Sequence, residues 1–338
     1  MQLAVDVLQH KGAEITAEEA EAAGVAILLH DIGHGPYSHA LEHTIVDVHH
    51  ERLSLLFMEE MNRQFGGRLT LAIQIFSDQY PKKFLHQLVS SQLDMDRLDY
   101  LNRDSFFTGV SEGVIGYDRI IKMLAVHDGE LVVEEKGIYS IEKFLIARRL
   151  MYWQVYLHKT NVSAEQMVVH LLRRARELAV AGVSLEASRH LHWFLYRNTD
   201  EQPSISVLLE HFAQLDDVDI AAAIKVWRHA DDLVLSLLAT GLLDRRLFRL
   251  EWRSVPVEAD YLESIRTKAS HTFGPTLPLE HLVFTGSESN QAYDISVEKI
   301  NILFKDGRVL PIDECSDVPL YTQVVTKYFI CYPKELQS

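Results

Sequence analysis

Apolar positions recur at helical spacing over 16–30, 50–65, 84–104, 141–160, 163–181, 219–228 and 231–241, with few strand-like alternations between them. Most of the first 250 residues therefore read as helical. One exception is AVHDGELVVEEKGIYS at 125–140, where Asp128-Gly129 and Lys136-Gly137 bracket a short β-branched run. That pattern predicts a small β-hairpin. From about Val255 the texture changes: HLVFTG, INILFKDGRVLPI and VVTKYFICYP are strand-like, and Asp306-Gly307 between two apolar runs predicts a second hairpin turn. The pattern as a whole predicts a mainly α protein, with a helical domain over 1–254 and a small α+β part over 255–338.

Composition narrows the function classes. The chain has 338 residues and 47% hydrophobic positions, enough for a sizeable core. Its 33 Lys and Arg against 48 Asp and Glu give a net charge of −15, the wrong sign for gripping a nucleic-acid backbone. Cys315 and Cys331 show no CxxC or Cys/His spacing, which argues against a disulfide framework or zinc ribbon and fits a reducing cytoplasm. No apolar run approaches the roughly 20 residues that span a bilayer, and MQLAVDVLQHKG lacks a basic leader followed by an apolar stretch.

The candidate chemistry begins in AILLHDIGHGPYSH at 26–39, where an apolar run ends on His30 and Asp31. An adjacent imidazole and carboxylate are costly to bury unpaired, and can turn one nitrogen and one oxygen toward a shared ion such as Fe, Mn, Ni or Zn. Partners are expected in SSQLDMDRLDYLNRD at 90–104. At about 100° per residue on a helix, Asp96, Arg97, Tyr100, Arg103 and Asp104 share one face, while Met95, Leu98 and Leu101 share the other. In FLIARRLMYWQVYLHK at 144–159, Arg148, Tyr152, Tyr156 and Lys159 form a second stripe. Cations alternating with tyrosines suit a ligand with phosphates at one end and a ring or sugar at the other. Taken alone, that stripe reads rather as a solvated helix face with aromatic packing.

Together these segments resemble the HD-domain phosphohydrolase superfamily, and within it the deoxynucleotide triphosphohydrolase branch. HDIGHGPYSH is similar to that branch's HD-[LI]-G-H-x-P-[FY]-x-H segment, and LDMDRLDYLNRDSFFTG to its second-Asp segment. LMYWQVYLHKT resembles its tyrosine-bearing helix, and ADDLVLSLLATGLLDRRLFR its downstream helical region. The likeness covers roughly residues 1–250. It implies an HD helical fold and a divalent metal (Mn, Fe, Ni, Zn or Mg) held by His30, Asp31 and Asp96, with Mg carried on the nucleotide. It implies that His34 and His39 contact phosphate, with His39 a general acid, and that Glu42 and His50 position and tune that proton relay. Arg97, Arg148 and Lys159 would hold the phosphates, Tyr100 and Asp104 the sugar, and Tyr156 would pack under C2′. Position 152 is left without a role. The implied reaction converts deoxynucleoside triphosphates to deoxynucleoside and inorganic triphosphate, in a homo-oligomeric dimer or tetramer with a possible nucleotide effector.

One departure from the pattern stands out. The family's first metal histidine precedes the HD pair by more than the 29 residues available here, and His10 has the wrong spacing. MQLAVDVLQHKG also reads like the middle of an amphipathic helix, so the natural chain is expected to start further upstream. Rival enzymes fit less well: IGHGPYSH carries no Glu-Asp pair as a ppGpp hydrolase would, and Gly35-Pro36-Tyr37 is not the Gly-Tyr-Pro of cyclic-di-GMP phosphodiesterases. An HD phosphohydrolase of another nucleotide, or a catalytically incomplete nucleotide sensor, is the alternative reading. His43, His49, His86 and His158 are expected to have ordinary structural roles, and Asp94 and Asp99 to pair with cations or water.

Overall fold

A computed structural model describes residues 1–338 except 39, 43, 47, 199–202, 292, 295–297, 321, 322 and 338. The chain forms two compact units, each assembled from three separate segments. The first takes Met1–Ile32, Phe57–Tyr156 and Asn290–Val325; the second takes Gly33–Leu56, Leu157–Ser289 and Thr326–Ser338. Each unit thus draws on both sides of residue 254.

The first unit is built on the helices Gln2–His10, Ala17–Leu29, Thr70–Phe76, Lys83–Val89, Met95–Thr108, Tyr117–Met123 and Ile138–Met151. Ala17–Leu29 starts at a capping box: the Thr16 hydroxyl accepts from the Glu19 N–H at 3.2 Å, and the Glu19 carboxylate accepts from the Thr16 N–H at 2.8 Å. Its small residues Ala22, Ala23 and Ala26 are buried and let it sit closely on Thr70–Phe76 and Lys83–Val89. Leu85, Leu98, Leu101, Phe144 and Met151 continue that core. Burying such side chains contributes roughly 1.5–3 kcal/mol each relative to exposure.

Two of the expected helices differ from the periodicity. The span 84–104 is two helices, because Asp94 caps Met95–Thr108: its carboxylate accepts from the Arg97 N–H at 2.8 Å and the Ser91 N–H at 3.1 Å. Serine and aspartate side chains offer the backbone a partner that competes with continuing the helix. The span 141–160 is helical only to Met151, continues as a π-helical turn over Tyr152–Tyr156, and restarts at Lys159 with His158 as cap. Apolar periodicity cannot register that local widening.

Strands β1 (Leu124–His127) and β2 (Glu130–Glu134) form the expected hairpin, with Asp128 and Gly129 at φ 51° and 80° in the turn. Positive φ at both positions suits the right-handed twist of the strands. The remaining strands are β3 (Arg249–Arg253), β4 (Phe284–Asn290), β5 (Asn301–Leu303), β6 (Val309–Pro311) and β7 (Val325–Tyr332). β5 and β6 pair antiparallel around Asp306-Gly307, and β5 adds parallel to β2 with Val133 opposite Ile302. The result is a four-stranded sheet of order β1-β2-β5-β6.

The second unit carries the helices Lys159–Val180, Arg189–Tyr196, Ile205–Phe212, Asp217–Trp227, Leu233–Leu243 and Ala259–Phe273, and a sheet of order β3-β7-β4. β3 lies in a stretch whose sequence reads as part of the helical region. It is a strand because its partner, β7, arrives from the far end of the chain, with Leu250 opposite Cys331.

Candidate active site

His30 follows the last residue of Ala17–Leu29 and keeps helical dihedrals. Its Nδ1 lies 2.7 Å from the Ile27 carbonyl oxygen, which can only accept, so Nδ1 carries the proton and Nε2 presents a lone pair. Nε2 stands 3.3 Å from an Asp31 oxygen and 3.9 Å from an Asp96 oxygen. Asp96 is positioned by the first turn of Met95–Thr108, whose start Asp94 fixes. One lone pair facing two carboxylates is repulsive unless a proton or a cation lies among them. The nearby Asp96 carboxylate, reinforced by Asp31 and opposed by burial, pushes the His30 pKa up to about 9. Donors shared by one ion at about 2.1 Å stand roughly 3–4 Å apart, so the His/Asp/Asp set fits a divalent metal; its three ligand atoms lie within 4.8 Å of one another. His10, by contrast, bonds the Asp6 carbonyl oxygen.

The same helix carries a second group one and two turns further on. Arg97 is anchored by its Nε to Asp94 at 2.9 Å, and Asp94 is itself buried. Tyr100, half-buried, meets the Tyr156 ring edge-on at 6.1 Å, and Tyr156 meets Tyr152 edge-on at 5.2 Å. The Tyr156 hydroxyl donates to Asp104 at 2.7 Å, and the Arg148 guanidinium lies 5.8 Å from the centre of the Tyr152 ring. Burial, with Tyr152 adding to it, pushes the Tyr100 pKa up to about 12; burial and the Asp104 carboxylate push Tyr156 higher still. Both phenols are therefore neutral at physiological pH. Arg97, Tyr100, Asp104, Arg148 and Tyr156 form one continuous set with Tyr152. Arg103, which the helical wheel places on the same face, is exposed and paired with Asp99 at 2.7 Å.

Of the histidine group, His34, Glu42 and His50 come together in the second unit. His50 Nδ1 lies 2.7 Å from Glu42 Oε1, and the His34 and His50 rings stack at 4.0 Å and 17°. Burial and the His34 ring lower the His50 pKa, while Glu42 opposes them. The loop that carries His34 is shaped by close approach. A Cβ on Gly33 would fall 2.1 Å from the His50 carbonyl oxygen and 2.4 Å from the Ser54 nitrogen, so only glycine fits. Its N–H donates to the Ser54 hydroxyl at 2.9 Å. Pro36 then leads a turn closed by the Ser38 N–H on the Gly35 carbonyl, with Tyr37 held at φ 54°. His39 lies outside the described residues.

Lys159 opens the helix Lys159–Val180 and is exposed, lining a cavity of about 640 Å³ in the second unit with Arg245, Arg249 and Lys334. His86 bonds the Ile75 carbonyl oxygen and His158 caps a helix, both structural roles. The Ile27 carbonyl and Asp94 support the metal group of the first unit, and Ser54 the loop that carries His34 in the second, without being chemically conspicuous. Of these, only Asp94 was singled out in sequence, as a carboxylate expected to pair with a cation or water, and it pairs with Arg97.

Residues 2–104 match the HD domain and residues 115–192 the HD associated region. A crystal structure of a phosphohydrolase from Bacteroides thetaiotaomicron superposes with a TM-score of 0.91 at 51% identity, over 98% of this chain and 84% of that one. The uncharacterized protein YwfO of Bacillus subtilis is 32% identical over 336 residues, covering 94% of this chain and 75% of its own length. A SAMHD1 homolog of Dictyostelium discoideum, named a deoxynucleoside triphosphate triphosphohydrolase, is 28% identical over 191 residues, covering 51% of this chain and 37% of its own length. No helix among the described residues is long and apolar enough to cross a membrane. With a matching HD domain model and likeness along nearly the whole chain, the protein belongs to the HD-domain phosphohydrolase family.

Proposed function

We propose that the protein hydrolyses deoxynucleoside triphosphates, releasing deoxynucleoside and inorganic triphosphate, with a divalent metal held by His30, Asp31 and Asp96. One observation carries the reading: Met95–Thr108 bears the metal-group Asp96, the anchored Arg97, the neutral Tyr100 and the Asp104 that grips Tyr156. Ligand, cation and sugar-sized polar wall succeed one another along one rigid element. When bound, the ion supplies a water acidic enough to be deprotonated near neutral pH.

The side chains do the rest of the work. Arg97 and Arg148 offset charge on the triphosphate, aided by Lys159 and by Mg²⁺ carried with the nucleotide. Tyr100 and Asp104 hold the sugar, and Tyr156, fixed by Asp104, packs under C2′ and disfavours a ribose hydroxyl. For the histidine group we propose the proton relay: His34 and His39 contact phosphate, His39 protonates the departing sugar oxygen, and Glu42 with His50 sets the relay's tautomers. The name of the Dictyostelium relative supports the substrate class. Assembly as a dimer or tetramer is part of the same reading.

Ion-exchange chromatography of products tests it, with each deoxynucleotide offered singly and then mixed, plus Mn²⁺ or Mg²⁺. Deoxynucleoside with intact triphosphate is the expected result. Monophosphate and pyrophosphate, or turnover confined to another nucleotide, would overturn it.

A further inference from the structure

The Arg148-Tyr152-Tyr156 stripe leaves its middle member without a role. Tyr152 opens the π-helical turn Tyr152–Tyr156, a local widening that recurs at functional sites. One edge of its ring is taken up by Tyr156 at 5.2 Å and 78°, and the Arg148 guanidinium lies 5.8 Å from its centre. Tyr152 is also close enough to act electrostatically on Arg97 and on the Tyr100 hydroxyl. The two neighbouring phenols differ in how they are satisfied. Tyr156 donates to Asp104, whereas the Tyr152 hydroxyl, half-buried, makes no hydrogen bond among the described residues. A phenol with two guanidinium neighbours and no protein acceptor is well placed to donate to an anion.

We propose that the Tyr152 hydroxyl donates to the triphosphate chain of the nucleotide, a third phosphate contact beside Arg97 and Arg148. This rests on the nucleotide reading of the site. The charged and titratable groups around the phenol are Arg97, Arg148, Tyr100, Tyr156 and, through Tyr156, Asp104. A hydroxyl donor keeps its proton without needing a charge, so this contact is expected to be the same at pH 6 and pH 8. An imidazole at the same place would switch.

Calorimetric titration with inorganic triphosphate, in chelator and at pH 6 and pH 8, tests the contact apart from turnover. Tyr152→Phe keeps the ring and removes only the donor. It should bind about tenfold more weakly than wild type at both pH values, the size of a hydrogen bond to a charged group. Tyr152→His should approach wild-type affinity at pH 6 and fall about tenfold below it at pH 8, as the imidazole loses its proton. Wild-type affinity in Tyr152→Phe, or no triphosphate binding by the wild-type protein, would overturn the proposal. A wild-type protein that binds triphosphate through Tyr152 yet cleaves no deoxynucleotide would support the contact and sink the hydrolase reading instead.

Discussion

At His30, a single hydrogen bond from Nδ1 to the Ile27 carbonyl decides which nitrogen is available for chemistry. Asp96 completes the group from a different helix. Asp96→Ala should therefore lose bound metal, read by elemental analysis, and lower turnover on the order of 10³-fold, comparable to deleting a preorganised electrostatic group. Its melting temperature should fall below that of the metal-loaded wild type, because the bound ion and the pairing of Asp96 with His30 both favour the folded state. Gly33→Ala acts on the fold instead. The new methyl would meet backbone atoms of His50 and Ser54 that cannot swing aside. A loss of about 2–3 kcal/mol in denaturant unfolding is the expected outcome. The convergence of His30, Asp31 and Asp96 could be looked for in sequence, since an adjacent imidazole and carboxylate at the end of an apolar run stand out against their surroundings. The supports of this group and of the His34 loop could not: a backbone carbonyl at 27 and a hydroxyl at 54 have no pattern of their own.

Among the elements, the long periodic helices were legible and the interruptions were not. The break at 90–94 depends on Asp94 capping one helix while pairing with Arg97, two uses of one carboxylate that periodicity does not weigh. Asp94→Asn, which keeps one acceptor for the cap but turns an amide NH2 toward the Ser91 N–H and the Arg97 Nε, should bind triphosphate more weakly by a few-fold and lose about 1–3 kcal/mol of stability. Asp94→Ala should also lose about 1 kcal/mol from the uncapped helix. The hairpin at β1 and β2 was legible because Asp-Gly is a local code for its turn. Replacing Gly129, at φ 80°, by Ala should cost about 1 kcal/mol with no effect on activity. β3 escaped notice because a five-residue strand is defined by a partner some eighty positions away, with Arg249 opposite Tyr332.

For the whole molecule, buried histidines set the response to acid. His170 stacks on Phe284 and lies 3.3 Å from His281, whose other nitrogen is paired with Glu177. Burial, then the charge of His281, pulls the His170 pKa down to about 3, and His50 is lowered as well. Below pH 6.5 the unfolded chain takes up a proton at His170 that the folded protein refuses. Stability should therefore fall as pH drops from 6.5 toward 3, by about 1.4 kcal/mol per pH unit from His170 alone. Denaturant midpoints measured across that range would show it, and His170→Gln should flatten the slope. The parallel pairing of β2 with β5 has a consequence of another kind, for the order in which the protein can be made. The first unit takes its last segment from Asn290–Val325, so on the ribosome the strand beside β2 emerges long after it, Asn301 pairing with Val132. The part of the chain that carries the metal group must wait, its sheet unfinished and the edge of β2 open, until Asn301–Leu303 has been made and released.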